Sequence, residues 1–352
     1  MTASRRYPLL RVMMVGSLPP PLGGTTVSFH ALCEFVARHA GQCIVIDSAP
    51  RGRGIARAGM RTIVAVIRHL AQADIVTMHF SDRASITIAP ILSLICRVAG
   101  KPYVLRQFGG EFDRTIAGLA PWHRWILGQT LFRADAVLLQ TKAMMRSFAP
   151  LSRRLHWFPT ARQQPGCLNR LSYAHGQRPV LKCLFVGHVS RAKGALAAAE
   201  AASEFVDAEL SLYGPLVDLA QSELDRSNVK YRGVLPAERV SEIMAEHDVL
   251  LFPTTHPGEG YSGTLVEAAM VGLPIIANRW QSLPEMFSDD EIMFIDEATA
   301  AALSAQMRKI MANPAALQER ASRLLARASD FDAETVFGQF LDLCYHATGG
   351  GA

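Results

Sequence analysis

Two carboxylates eight positions apart, Glu259 and Glu267, frame a short stretch with glycines at 260 and 263, inside the segment DVLLFPTTHPGEGYSGTLVEAAMVGLPIIAN at residues 248–278. A helix that opens on glycine presents unpaired backbone N–H groups and a partial positive charge. No Cβ at Gly260 or Gly263 holds an anion's oxygens away. The N–H groups of Gly263, Thr264 and Leu265 therefore read as a phosphate seat. Carboxylates are acceptors only, so Glu259 and Glu267 suit hydroxyls and would repel the phosphate itself. A ligand with both features is a sugar joined to a nucleotide. A further candidate is Lys193 in GHVSRAKG at 187–194. A lysine at a helix N-terminus opposes the helix dipole, so its presence there calls for an anion nearby.

The elements that must hold these groups follow from periodicity. The apolar run at 249–252, ended by Pro253, is a buried strand; a helical pattern runs from Gly263 to a stop at Gly272, and Pro274 opens another strand. Upstream, a strand at 181–186 precedes the Lys193 loop and an alanine-rich helix at 194–205. Strands at 209–213 and 229–232 and a helix at 237–247 follow. In the first half, a strand at 9–15, the loop GSLPPPLGG and a helix at about 25–39 begin a similar unit. Strands at 43–47, 74–79, 102–106 and 136–139 then alternate with helical patterns at 54–72, 83–98, 121–132 and 141–149. Such alternation predicts parallel sheets covered on both faces, with ligands at the carboxyl ends of the strands. His79, Arg106 and Glu111 fall at such ends. His79 has two readings, a ligand contact or a hydrogen-bonded core histidine, whereas Arg106 is costly to bury unpaired. The first loop lacks G-x-G-x-x-G, which removes the main support for a dinucleotide enzyme.

A chain of 352 residues is long for one core, and two domains are expected, 1–165 and 166–330, followed by helical residues 331–352. Residues 150–178, with three prolines and several arginines, read as an interdomain linker containing a short strand at 155–158. Six cysteines without a Cys-x-x-Cys pair point to reduced thiols in a cytosolic protein. Arg11 and the Pro19–Pro21 cluster interrupt the first apolar run, so no signal peptide is expected, and no window is long enough for a transmembrane helix. Charge is unevenly divided: residues 1–170 carry 22 Lys and Arg against 7 Asp and Glu, residues 171–352 carry 14 against 24, giving +15 and −10. The halves face different partners, and no nucleic-acid partner is expected.

The segment around Glu259 and Glu267 resembles the donor-binding signature of retaining glycosyltransferases of family 4, the glycosyl transferases group 1 type. Their Glu-x7-Glu appears as EGFG…EAMA-GLPVI; here stand Glu259, Gly260, Tyr261 and then Glu267, Ala268, Ala269, Met270, Gly272, Leu273 and Pro274. The resemblance implies an α/β chain of GT-B fold, two Rossmann-like parallel-sheet domains facing each other across a cleft, with a last helix crossing back to the first domain. It implies that Glu267 holds ribose hydroxyls, that Glu259 faces the donor sugar, and that Gly23 and Gly24 lie against the donor diphosphate. The family's Gly-Arg-x4-Lys-Gly loop clamps the leaving diphosphate. Lys193 and Gly194 match it, and His188 stands at the arginine position, with Arg191 as a substitute cation. Where many members have His-Gly after the fourth strand this chain has Phe108-Gly109, so either His79 or Arg106 substitutes or the acceptor chemistry differs. Pro284 and Glu285 match the family's Gly-Gly-x-Pro-Glu loop, but Trp280 and Gln281 replace its glycines.

The implied activity is transfer of a sugar, with retention, from a nucleotide-sugar donor to a lipid-linked saccharide acceptor in cell-surface polysaccharide or glycolipid synthesis. No cofactor is expected, since the nucleotide sugar is a substrate and basic residues replace a metal. Two other readings stay open: a nucleotide-sugar epimerase or hydrolase on the same fold, and a non-catalytic nucleotide-sugar-binding subunit. Arg51, Arg53, Arg57, Arg61 and Arg68 fall in a stretch without any acidic residue. On a helix Arg57, Arg61 and Arg68 lie within about 40° beside Met60, Ile63, Val64 and Ile67. Each basic residue at an anionic leaflet contributes about 1 kcal/mol. The expectation is a cytoplasmic protein held on the inner face of the membrane by its first domain.

Overall fold

A computed structural model describes residues 6–21, 23–52, 54–169, 174 and 179–350. The chain divides into two units, the first made of residues 1–161 and 333–352 and the second of 162–332.

The first unit runs β1 (Tyr7–Gly16), α1 (Gly24–His39), β2 (Ala40–Asp47), α2 (Ile55–His69), β3 (Ile75–Phe80), α3 (Asp82–Val98), β4 (Tyr103–Gln107), α4 (Phe112–Ala117), α5 (Pro121–Gln129), β5 (Ala136–Leu139), α6 (Lys142–Phe148) and β6 (Leu155–Trp157). Its six strands are parallel in the order β2-β1-β3-β4-β5-β6. The short strand expected inside a linker is thus the sheet's last strand, pairing Val137 with Leu155. Of that linker, residues 170–173 and 175–178 lie outside the described residues, as does Arg53. Strand residues alternate between two cores. Met13, Met78 and Leu105 face a layer holding Val66 of α2, Leu92 of α3 and Leu127 of α5. Val12, Met14 and Val104 face Phe29 of α1 together with Phe337 and Phe340 from near the chain's end.

The second unit contains β7 (Leu181–Val186), α7 (Ala195–Ser203), β8 (Ala208–Tyr213), α8 (Gln221–Leu224), β9 (Val229–Tyr231), α9 (Val240–Ala245), β10 (Val249–Phe252), α10 (Gly263–Val271), β11 (Ile275–Asn278), α11 (Leu283–Met286), β12 (Met293–Ile295), α12 (Ala300–Ala312) and α13 (Ala315–Ala326); α14 (Ala333–Ala347) then returns to the first unit. Its sheet, also parallel, has the order β12-β11-β10-β7-β8-β9. The chain leaves β7 toward β8 on one side and β10 toward β11 on the other. At such a reversal the loops after the two neighbouring strands part and open a crevice at their carboxyl ends.

Candidate functional site

The crevice between β7 and β10 is where the sequence's chemistry converges. The loop after β7 turns through Gly194, whose φ of +76° is left-handed and whose absent Cβ would lie 2.2 Å from the Pro253 carbonyl oxygen. Only glycine permits that approach. The loops are also tied by the Thr255 amide, which donates to the Ala192 carbonyl at 2.7 Å. This clasp brings Lys193 to Glu259 across the reversal, where Nζ donates to Oε2 in an ion pair. The Thr254 hydroxyl donates to the same oxygen at 3.0 Å, and the Thr254 carbonyl accepts from Asn278 Nδ2 at 2.9 Å. Glu259 is buried, with its side chain 7% exposed against 21% for Lys193. The carboxylate is therefore fixed, and the ammonium is the more accessible member.

Beside this pair α10 begins without a side-chain cap: Ser262 is buried and makes no capping bond, and its carbonyl accepts from Val266. The amides of Gly263, Thr264 and Leu265 precede the first intrahelical acceptor and carry the helix's positive end. Arg162 packs against this end, since a Cβ on Gly263 would lie 2.0 Å from its Nη2. The same guanidinium donates from Nε to Glu267 Oε1 at 2.5 Å. Trp280 and Ser282, in the loop that departs from the family's glycines, brace the carboxylate loop. Trp280 Nε1 donates to the His256 carbonyl and Ser282 Oγ to that of Gly260, both at 2.8 Å.

The other expected residues are placed differently. His188 is exposed on the loop after β7. Arg191 is turned to Glu223 of α8 in an ion pair, while its amide donates to Asp218 Oδ1 at 2.9 Å. A cation already neutralised by Glu223 is a weak substitute for a diphosphate clamp. In the first unit Gly23 caps α1, its amide donating to Thr26 Oγ1 at 3.1 Å, and a Cβ on Gly24 would meet nothing.

His79 and Arg106 are not at an open strand end. They are register partners on β3 and β4, and they are 3% and 0% exposed. The Arg106 guanidinium lies 4.3 Å and 4.6 Å from the ring centroids of Phe108 and Phe158 and donates to Ser28 Oγ at 3.2 Å. The His79 ring approaches Thr77 Oγ1 at 3.0 Å and Phe340 at 5.7 Å between centroids. Burial, seconded by the Arg106 charge, holds its pKa well below the ordinary value. The core reading of His79 holds in this conformation, and a sugar contact by either residue is corrected: α1 and α14 cover both.

Arg162, Thr254, Asn278, Trp280 and Ser282 were not legible as site residues from sequence. Only Asn278, ending a buried strand at a carboxyl edge, carried a signal. Among the described residues no three His, Cys, Asp or Glu side chains cluster as metal ligands do.

Residues 181–313 match the family Glycosyl transferases group 1. A 115-residue segment is 30% identical to an uncharacterized 41.2 kDa protein in the cps region of Klebsiella pneumoniae, spanning about a third of each protein (32% of both). The fold resembles sucrose-phosphate synthase from Thermosynechococcus elongatus, with a TM-score of 0.76 at 14% identity over 96% of this chain and 99% of that one. It also resembles Alr3699/HepE of Anabaena in complex with UDP and glucose, with a TM-score of 0.72 at 14% identity over 95% and 98%. The body of the second unit is therefore a glycosyl transferases group 1 domain, and the chain has the GT-B glycosyltransferase fold of two Rossmann-like domains.

Proposed function

We propose that the protein transfers a sugar from a nucleoside diphosphate sugar, held by the second domain, to a lipid-linked saccharide, with retention of anomeric configuration. The observation that carries this reading is the Lys193–Glu259 pair beside the uncapped start of α10, at the one reversal of the second sheet. Breaking the bond between sugar and diphosphate puts negative charge on the departing oxygens and positive charge on the sugar carbon. Preorganised donors at the departing oxygens are then the main lever. Lys193 and the amides of Gly263, Thr264 and Leu265 supply them. Glu259, held by Thr254, accepts from a sugar hydroxyl, and Glu267, oriented by Arg162, accepts from the ribose. His188 stands in the open, free to approach the diphosphate. With these donors in place no metal is required. The solved relative whose ligand is UDP makes uracil the first base to test.

No described helix is long and apolar enough to cross a membrane. The first domain rests on the anionic inner face of the cytoplasmic membrane through its basic side, where Arg57 and Arg68 are exposed, and the acceptor arrives from that side. Two members of the expected basic set have other work. Arg51 pairs with Asp47 at 2.7 Å and donates to the Pro20 carbonyl at 2.9 Å, and Arg61 donates to the Ala49 carbonyl at 2.6 Å.

The test is a thermal-shift panel of nucleoside diphosphates and nucleotide sugars, since a ligand that binds only the folded state raises Tm by mass action. A shift with one base that disappears in Glu267→Ala supports the reading, and no shift with any of them overturns it.

A further inference from the structure

The outward faces of α2, α3 and α5 form an apolar surface that the core does not use. All three helices lie on one side of the first sheet, contributing Val66, Leu92 and Leu127 to the same core layer. On α2 the small face of Ala58, Gly59 and Thr62 packs inward with Val66, which leaves Met60, Val64 and Ile67 between 48% and 63% exposed. Of the apolar arc only Ile63 reaches the core layer, where it packs partly buried. On α3 the exposed residues are Ile91, Leu94 and Val98, within about 60° of one another on the helix. On α5 they are Trp122 and Trp125, at 66% and 67%. Two side chains hold α3 and α5 together, the His123 ring at 3.0 Å from the Ile86 carbonyl oxygen and Arg97 Nη1 donating to the Gln129 carbonyl at 2.8 Å.

Charge on this face has one sign. Neither α2 nor α5 contains an acidic residue. The single one in α3, Asp82, is engaged by Gln107 Nε2 at 2.6 Å and the Thr115 hydroxyl at 2.9 Å. Exposed Arg57, Arg68, Arg83 and Arg124 border the apolar residues. Aromatic rings with an N–H edge, aliphatic side chains and unopposed arginines on adjacent helices match the boundary of an anionic bilayer: tryptophan settles at headgroup depth, apolar side chains enter below it, and arginine meets lipid phosphate.

We propose that the α2–α3–α5 face inserts shallowly into an anionic phospholipid leaflet, with Trp122 and Trp125 as its anchors. This rests on the membrane-docked reading above and adds to it an apolar component that salt does not screen. The experiment uses the full chain with vesicles of phosphatidylethanolamine and phosphatidylglycerol, and a parallel set whose acyl chains are brominated near the glycerol. The expected results are flotation with the vesicles, quenching of tryptophan fluorescence by the brominated lipid, and loss of that quenching in Trp122→Phe/Trp125→Phe, which keeps Trp157 and Trp280. Trp122→Ala/Trp125→Ala should lower the fraction bound at high salt by about tenfold or more while its Tm and its thermal response to nucleoside diphosphate stay as in the wild type. Flotation without quenching would overturn insertion and leave the membrane-docked reading standing. No flotation of the wild type at any salt overturns both. Quenching that survives in the double Phe variant, or a dimer in sedimentation that shields the two tryptophans, overturns the assignment of this face.

Discussion

Arg162 Nε donates to Glu267 Oε1 at 2.5 Å across 105 positions of sequence, in a pair whose side chains are 14% and 18% exposed. If Glu267 accepts from ribose hydroxyls as proposed, it gains more from orientation than from basicity, and one guanidinium bond fixes one oxygen while leaving the second available. Arg162→Ala is expected to weaken nucleoside diphosphate affinity by about tenfold or more, with Arg162→Lys recovering part of the loss. Titration calorimetry measures both, and an unchanged Kd in Arg162→Ala would remove the positioning role.

Gly263 carries the same relationship from the other side. A methyl group there would meet Arg162 Nη2 at 2.0 Å, so Gly263→Ala must push the guanidinium off Glu267. The φ here is not left-handed, so the cost falls on the contact and not on the backbone. The expected outcome is weaker nucleotide binding with Tm nearly unchanged, measured by the same titration together with calorimetric melting.

Lys193 is the accessible cation of the reversal, paired to a buried carboxylate. Charge-assisted hydrogen bonds contribute about 1.5 to 3 kcal/mol each, so Lys193→Ala should lower kcat by about ten- to a hundredfold or more with the fold intact. Product analysis by proton NMR on the wild type should show the donor's anomeric configuration kept, and added chelator should leave the rate as it was. Wild-type turnover by the Lys193 variant would sink its assignment.

Three histidines make the fold sensitive to acid. Burial lowers the pKa of His79, His156 and His247. Above the ordinary value of 6.5 both folded and unfolded chains hold these rings neutral. As pH falls below it, the unfolded chain takes protons that the folded one refuses, so stability declines. Tm should therefore drop between about pH 7.5 and about pH 5.5. His79→Gln, which keeps the ring position filled without a titrating group, should flatten the decline. A Tm that holds steady across this range in the wild type contradicts the sign.

Strands buried on both faces read as apolar runs, unbroken at 249–252 and interrupted only by Lys182 at 181–186, which is why these residues coincide with β10 and β7. The carboxylates were legible because their spacing sits between such a strand and a helix. β12, α8 and α11, three or four residues long, are too short to show a period and escape this reading, although β10, equally short, is marked by the proline that ends its apolar run. Arg162 lies among Gln163, Gln164 and Pro165, a sequence without local pattern, and its partner is remote. His79 and Arg106 sit near strand ends as expected, yet position along a strand says nothing of which helix will cover it. Phe337 and Phe340, supplied by α14, complete that cover.

The return of α14 to the first unit has a consequence for synthesis. The ribosome releases the whole of residues 162–332 before the segment that closes the first domain, so the second domain, begun later, has all its parts sooner. Domains ordinarily finish in the order in which they are translated; here that order is inverted. Until the last helix emerges, one side of the first sheet lacks its aromatic lid, and water still reaches toward the arginine that the finished protein seals between Phe108 and Phe158. The nascent chain thus carries an open hydrophobic seam for the time needed to make about half the protein, and a stop codon a few turns early would leave it open for good.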